Sequence, residues 1–367
     1  MPLLHKILAG VFLIVALSFG FAHHLAPDFP LQFERLHVFL FNLVTGGALI
    51  LYVTRGREKR DWQIGAWVLF AVAYALSAFY EKYLLTIALT VPLSLLIENA
   101  RVRSFSWFPV DFFRVVPVWK KFRHASVLCL SIGLWVAVVA ILNSHFYHWV
   151  EMEKLSLDVF FLGYSFPISL ITLSLIFERL DETEARPLQE AAFWSINLGV
   201  IVFFGFIIFE LGGLELAISN YLLLSVLTVL GLFAKRAHFT QQKAFLLSGL
   251  GFLVITAITG VLYIGGYYNE ALKQSGDAMI RLHEVVSLYG WNLSGLFIIL
   301  REDGFPARFN TWAIIALQWL TVLILAPLGS ISPALALISV LTYSVLVGFV
   351  VFSPTLQRRA APALAAS

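Results

Sequence analysis

Nine histidines are the residues of this 367-residue chain best suited to chemistry. Imidazole titrates nearest neutrality and is the commonest metal ligand among side chains. Two of the nine stand in matching contexts. Arg35-Leu36-His37 opens the run "ERLHVFLFNLVTGGALILY", and Arg281-Leu282-His283 opens "IRLHEVVSLYGWNLSGLFIIL". Asn42, Gly46 and Gly47 follow the first; Gly290, Asn292 and Gly295 follow the second. Glycines let a flat partner approach a helix backbone. Two neutral imidazoles on two helices can clamp one iron from opposite sides. Arg35 and Arg281 would then lie where the propionates of a haem emerge, because guanidinium pairs well with carboxylate. The plainer alternative is that each His bonds a neighbouring helix and each Arg snorkels to the membrane interface.

The remaining histidines carry weaker signals. His145 and His148, in "NSHFYHWVEMEK", are spaced to share one helix face, and with Glu151 they could hold a metal. Tyr147 and Trp149 beside them equally read as an interfacial aromatic belt. The adjacent His23 and His24 point two ways from a helix end. The single cysteine, Cys129, sits in an apolar run and excludes disulfide or Cys-based metal chemistry within the chain. No phosphate loop, dinucleotide glycine fingerprint or His-Glu-X-X-His occurs.

Composition decides which elements must position these residues. The chain is 60% hydrophobic and only 13% charged, against about 25% charged in soluble domains. Lipid is the solvent such a chain needs, and in lipid only helices or a closed barrel satisfy the backbone. Long apolar runs without period-two alternation select helices. The expected fold is an all-α, polytopic single membrane domain of about twelve spans. They fall near 4–23, 34–54, 63–80, 83–99, 125–146, 157–178, 190–210, 214–233, 243–265, 282–300, 311–328 and 331–352. With the N-terminus inside, 20 of the 25 Lys and Arg fall on inner segments. That bias places both termini in the cytoplasm, and a bacterial inner membrane is the expected location. Residues 1–22 also read as a cleaved signal peptide, which would leave eleven spans. "FSWFPVDFFRVVPVW", between Ser104 and Arg123, reads as an interfacial segment on the inner surface. The outer segments are net acidic, which suits a basic partner such as a periplasmic cytochrome, or another membrane subunit. Nucleic acid is not an expected partner, since the net charge of +3 is small and the cations are placed by topology.

Twelve helices with His37 on the second and His283 on the tenth resemble the catalytic subunit of haem–copper oxidases and nitric oxide reductases. In that family a histidine on the second helix and the second His of a His-X-His on the tenth hold a low-spin haem. Here Arg281 replaces the first of that pair, and "His37…Gly46-Gly47" is similar to the family's second-helix pattern. The family's copper ligands lie on the sixth and seventh helices, whose runs here contain no His. The resemblance therefore implies a haem b in electron transfer or sensing, and no copper. A twelve-helix secondary transporter is the main competing plan. A membrane subunit without chemistry of its own is the other.

Overall fold

The computed structural model describes residues 1, 3–25, 33–56, 62–150, 161–181, 184–237, 241–301 and 312–353. Among these the secondary structure is helical throughout, with no strand. We number the main helices in chain order: α1 Leu3–Leu25, α2 Phe33–Thr54, α3 Trp62–Phe79, α4 Tyr83–Ser104, α5 Val118–Tyr147 and α6 Gly163–Phe177. There follow α7 Arg186–Ile208, α8 Gly212–Arg236, α9 Gln241–Gly265, α10 over 276–300, α11 Ala313–Gly329 and α12 Pro333–Phe352.

Nine of these are long and apolar enough to cross a membrane: α1–α5, α7–α9 and α12. The helices α6 and α11 are apolar but shorter, and the expected spans there begin on residues outside the described ones. The polar stretch Asp277–Glu284 dilutes the apolar run of α10. In a single-phase protein all these runs would be covered. Here Leu84, Leu95, Leu224 and Val345 are among the large apolar side chains left exposed, as lipid-facing residues must be. By contrast α2 is almost wholly buried and runs through the centre of the bundle.

Helix packing follows the small residues. Gly133 of α5 lies directly on the backbone of Gly163 of α6. A glycine pair permits this separation because neither residue has a Cβ to hold the helices apart. Such close approach maximises dispersion contacts where no hydrophobic effect operates between helices in lipid.

The two ends of the bundle are built from different loops. At one end Ser104 bonds the Thr54 carbonyl, Lys121 pairs with Glu190 at 2.8 Å, Arg123 with Glu178 at 3.4 Å, and Arg236 with Glu184. Arg179 and Gln242 also bond one another there. At the other end Arg35, Glu81 and His145 come together. These are the groupings that the alternation of basic and acidic loops in the sequence implies.

The segment 105–117 leaves Trp107, Phe108, Phe113 and Val115 exposed in a row at the basic end. Together with the exposed Arg114 they form the apolar plate, edged by a cation, that a segment lying on a membrane would present. Asp111 pins it: the carboxylate accepts from the Ser106 backbone N–H at 2.8 Å and the Ser106 hydroxyl at 2.7 Å. Burial alone would raise the Asp111 pKa. The two Ser106 bonds, then the nearby His124 and Arg114, outweigh it and hold the carboxyl below its ordinary value. A depressed carboxylate stabilises the segment above its unfolded pKa and loses that contribution as pH falls through the folded one. Asp111→Asn at neutral pH should mimic that loss. A solvatochromic dye on Phe113→Cys in bilayers should report a more polar setting in the Asn variant. An unchanged emission would show that Asp111 does not hold the plate.

Candidate functional site

His37 sits in α2, buried to 6% exposure. Its Nδ1 lies 2.7 Å from the carbonyl of Ala16 in α1. Only a protonated Nδ1 can bond a carbonyl, so this contact leaves the lone pair on Nε2. The Tyr289 hydroxyl of α10 lies 3.1 Å from that Nε2 and donates to it. Around the Tyr289 ring pack Phe21, Phe41 and Tyr343, with centroids 5.1 to 6.3 Å away. Gly20 makes the pocket possible, since a Cβ there would collide with the Tyr289 hydroxyl and crowd His37.

His283 is built the same way on other partners. Its Nδ1 lies 2.9 Å from the Thr256 carbonyl of α9, with the Thr259 hydroxyl at 3.4 Å. The close approach is allowed by Gly260, whose added Cβ would sit 3.3 Å from the ring. No partner of His283 Nε2 occurs among the described residues. In both helices a π-helical stretch follows the histidine, Phe39–Gly46 in α2 and Val286–Asn292 in α10. Such stretches recur at functional sites, although three others occur here, at Asn143–Tyr147, Phe161–Ser165 and Thr321–Leu325.

The sequence expectation was one gap with four glycine walls. The glycines lie elsewhere. Gly46 packs on Ile168 of α6, Gly47 on Trp67 of α3, Gly290 on Phe252 of α9 and Gly295 on Thr172 of α6. Each takes the close approach of a neighbouring side chain. The reason is angular: His37 is nine residues from Gly46 and His283 seven from Gly290, with a π-helical stretch intervening, so α-helical phasing does not carry across. The arginines diverge as well. Residues two apart point about 200° apart on a helix, and Arg35 accordingly faces away from His37. It lies among α3–α6, 4.0 Å from Glu81. Arg281 is exposed.

The fit to a haem therefore divides. Both imidazoles are prepared as ligands, because a Nδ1–carbonyl bond fixes the tautomer and orientation that metal ligation through Nε2 uses. The space is not prepared. The Tyr289 hydroxyl occupies the place an iron would take on His37, and the two imidazoles have separate partners on α1 and α9. A porphyrin does not fit between them in this packing.

His145 and His148 also part. The helix ends through the wide turn Asn143–Tyr147, and His148 adopts left-handed φ of 49° with its Nδ1 near the Asn143 carbonyl. The His145 ring instead stacks on Tyr83 at 3.8 Å. Glu151 lies outside the described residues. Among the described residues no group of three His, Cys, Asp or Glu is placed to hold a metal ion.

What sequence reasoning missed is that Arg35 and His145 line one cavity. It lies between α2, α3, α4, α5 and α6, holds about 90 Å³, and is floored by Tyr74 and Tyr164, whose hydroxyls bond at 3.0 Å. Both residues stood at outer helix ends in the sequence. Nothing in the spacing paired the start of α2 with the end of α5.

No protein-family model matches this chain, and neither the curated proteins nor the solved structures contain a match.

Proposed function

We propose that this chain is a twelve-span protein of a bacterial inner membrane that binds a haem b through imidazoles in its outer half, with His37 and His283 as the residues that would hold it. The observation that carries this reading is the shared construction of the two histidines: each has Nδ1 committed to a backbone carbonyl of an adjacent helix, at 2.7 and 2.9 Å. That bond leaves Nε2 of each ring as the nitrogen a metal would use. A bound haem would supply one-electron chemistry. The residues of this chain would fix the ligand nitrogens and, through the acidic outer face, favour a basic redox partner. On this reading the Tyr289 hydroxyl, now 3.1 Å from His37 Nε2, would have to give way to the iron. Visible absorption of the protein purified from membranes tests the reading. A Soret band with sharp reduced α and β bands supports it; a colourless protein from haem-replete cells excludes it.

A second reading has its own observation. The interior around His37 is already filled by Phe21, Phe41, Tyr289 and Tyr343, and the four glycines already have partners. That packing suits a membrane subunit or transporter without a prosthetic group, in which His37 and His283 are interhelical hydrogen-bonding residues.

The proposed orientation puts the Thr54, Ser104 and Lys121 end in the cytoplasm, on the strength of the basic-residue bias. A membrane-impermeant maleimide should reach a cysteine at Glu81 from outside intact cells and fail to reach one at Arg103. The reverse pattern would invert the topology.

A further inference from the structure

The cavity at the acidic-loop end brings together groups that no single segment of the sequence contains. Arg35 comes from α2, Tyr74 from α3, Tyr83 and Thr86 from α4, His145 from α5 and Tyr164 from α6. We propose that this cavity is a binding site for a small monovalent oxyanion of the carboxylate type, three or four heavy atoms in size.

Three observations point to that class. The first is charge. The Arg35 side chain is 23% exposed, and among the described residues its one ion pair is to Glu81 at 4.0 Å, a carboxylate itself 62% exposed. That separation is too long for a hydrogen bond. An exposed pair of this kind contributes little, so Arg35, which lines the cavity, keeps donors for an anion there. A guanidinium offers two parallel N–H donors, which match the two oxygens of a carboxylate or nitrite.

The second is size. A volume of about 90 Å³ is well below the ~150 Å³ of a cavity that accepts benzene. Formate, nitrite and bicarbonate fit this volume. A benzoate ring does not fit within it. The third is the wall. The Tyr74–Tyr164 hydroxyl pair closes the floor against the apolar interior, and the His145–Tyr83 stack, with centroids 3.8 Å apart, forms one side of the mouth. Phe39 packs edge-on against both floor tyrosines at 5.4 and 5.6 Å. An anion seated there loses water on the floor side, where an ion pair with Arg35 strengthens.

The site stands apart from the haem reading, since Arg35 and His37 face opposite sides of α2. The experiment is calorimetric titration of the purified full-length protein in detergent with formate, nitrite, chloride and benzoate. Formate and nitrite should bind saturably at one site, with benzoate silent and chloride weaker. Arg35→Gln should weaken formate by about tenfold or more, the loss of one charge-assisted contact, and Arg35→Lys should retain part of the binding. Because Arg35→Gln could also impair folding, Ala140→Leu serves as a second variant: it fills the cavity from α5 and should abolish binding with an unchanged melting temperature. The proposal is overturned if wild type shows no saturable formate or nitrite binding. It is equally overturned if a folded Arg35→Gln binds as wild type does, or if chloride binds as tightly as formate. A Soret band unaltered in Ala140→Leu would separate this site from any haem.

Discussion

If the chain binds a haem b as proposed, replacing either His37 or His283 by alanine is expected to abolish its low-spin spectrum, whereas His5→Ala leaves it intact. The expectation is all-or-none because, on that proposal, His37 and His283 would hold the haem together, and neither helix offers a second imidazole beside its own. In the packing described His37 bonds Ala16 and Tyr289 and His283 bonds Thr256, so each substitution removes one candidate ligand and leaves the other's carbonyl partner in place. Tyr289→Phe gives the complementary result. It removes the hydroxyl that lies 3.1 Å from His37 Nε2. A ligand that must displace that hydroxyl should then bind more readily, so haem occupancy should rise or hold. In a protein without haem the same substitution costs only the net value of a buried hydrogen bond, about 1 kcal/mol. A full low-spin spectrum in His37→Ala would rule out His37 as a ligand. Loss of the spectrum in Tyr289→Phe would mean that the tyrosine positions the iron site instead of blocking it.

Gly133→Leu is expected to be the most damaging single substitution in the packing of the bundle. A Cβ on Gly133 would meet the Gly163 carbonyl oxygen at 2.6 Å and carbon at 2.8 Å. Those are backbone atoms, so no rotamer change relieves the clash. Helices α5 and α6 would have to separate, and the cavity floor goes with them, because Tyr164 adjoins Gly163. Overpacking of this kind costs about 3 kcal/mol or more where the neighbour cannot give. Gly65→Leu is the matched comparison, since a Cβ on Gly65 in α3 meets nothing within 4 Å. It should change stability by no more than about 0.5 kcal/mol. Unfolding by detergent titration of both variants measures the difference. Equal stabilities would show that the α5–α6 contact is looser than the described backbone separation.

The sequence alone determined that this is a helical membrane protein. Apolar runs such as the one ending at Phe209 leave the backbone no other way to pair its hydrogen-bonding groups in lipid, and nine described helices have the length and apolarity to cross. It also separated the stretch 105–117 from the spans, because Pro109 and Pro117 interrupt an aromatic stretch flanked by cations. The grouping of loops at each end was legible for the same reason: crossing a membrane forces successive loops to alternate sides.

The site was not legible in this way. Arg35 and His37 share one tripeptide, yet the helix turns them to opposite sides, Arg35 toward Tyr83 and His145, His37 toward Ala16 and Tyr289. The glycines of α2 and α10 looked like the walls of a slot. Tertiary packing gave them to Ile168, Trp67, Phe252 and Thr172. Period and hydropathy fix how far along the membrane normal a residue lies, which is a one-dimensional quantity set by chain length and burial. The direction in which it faces depends on helix rotation and on local π-helical offsets. Those are decided by which neighbours can interlock, and only the folded bundle contains that information.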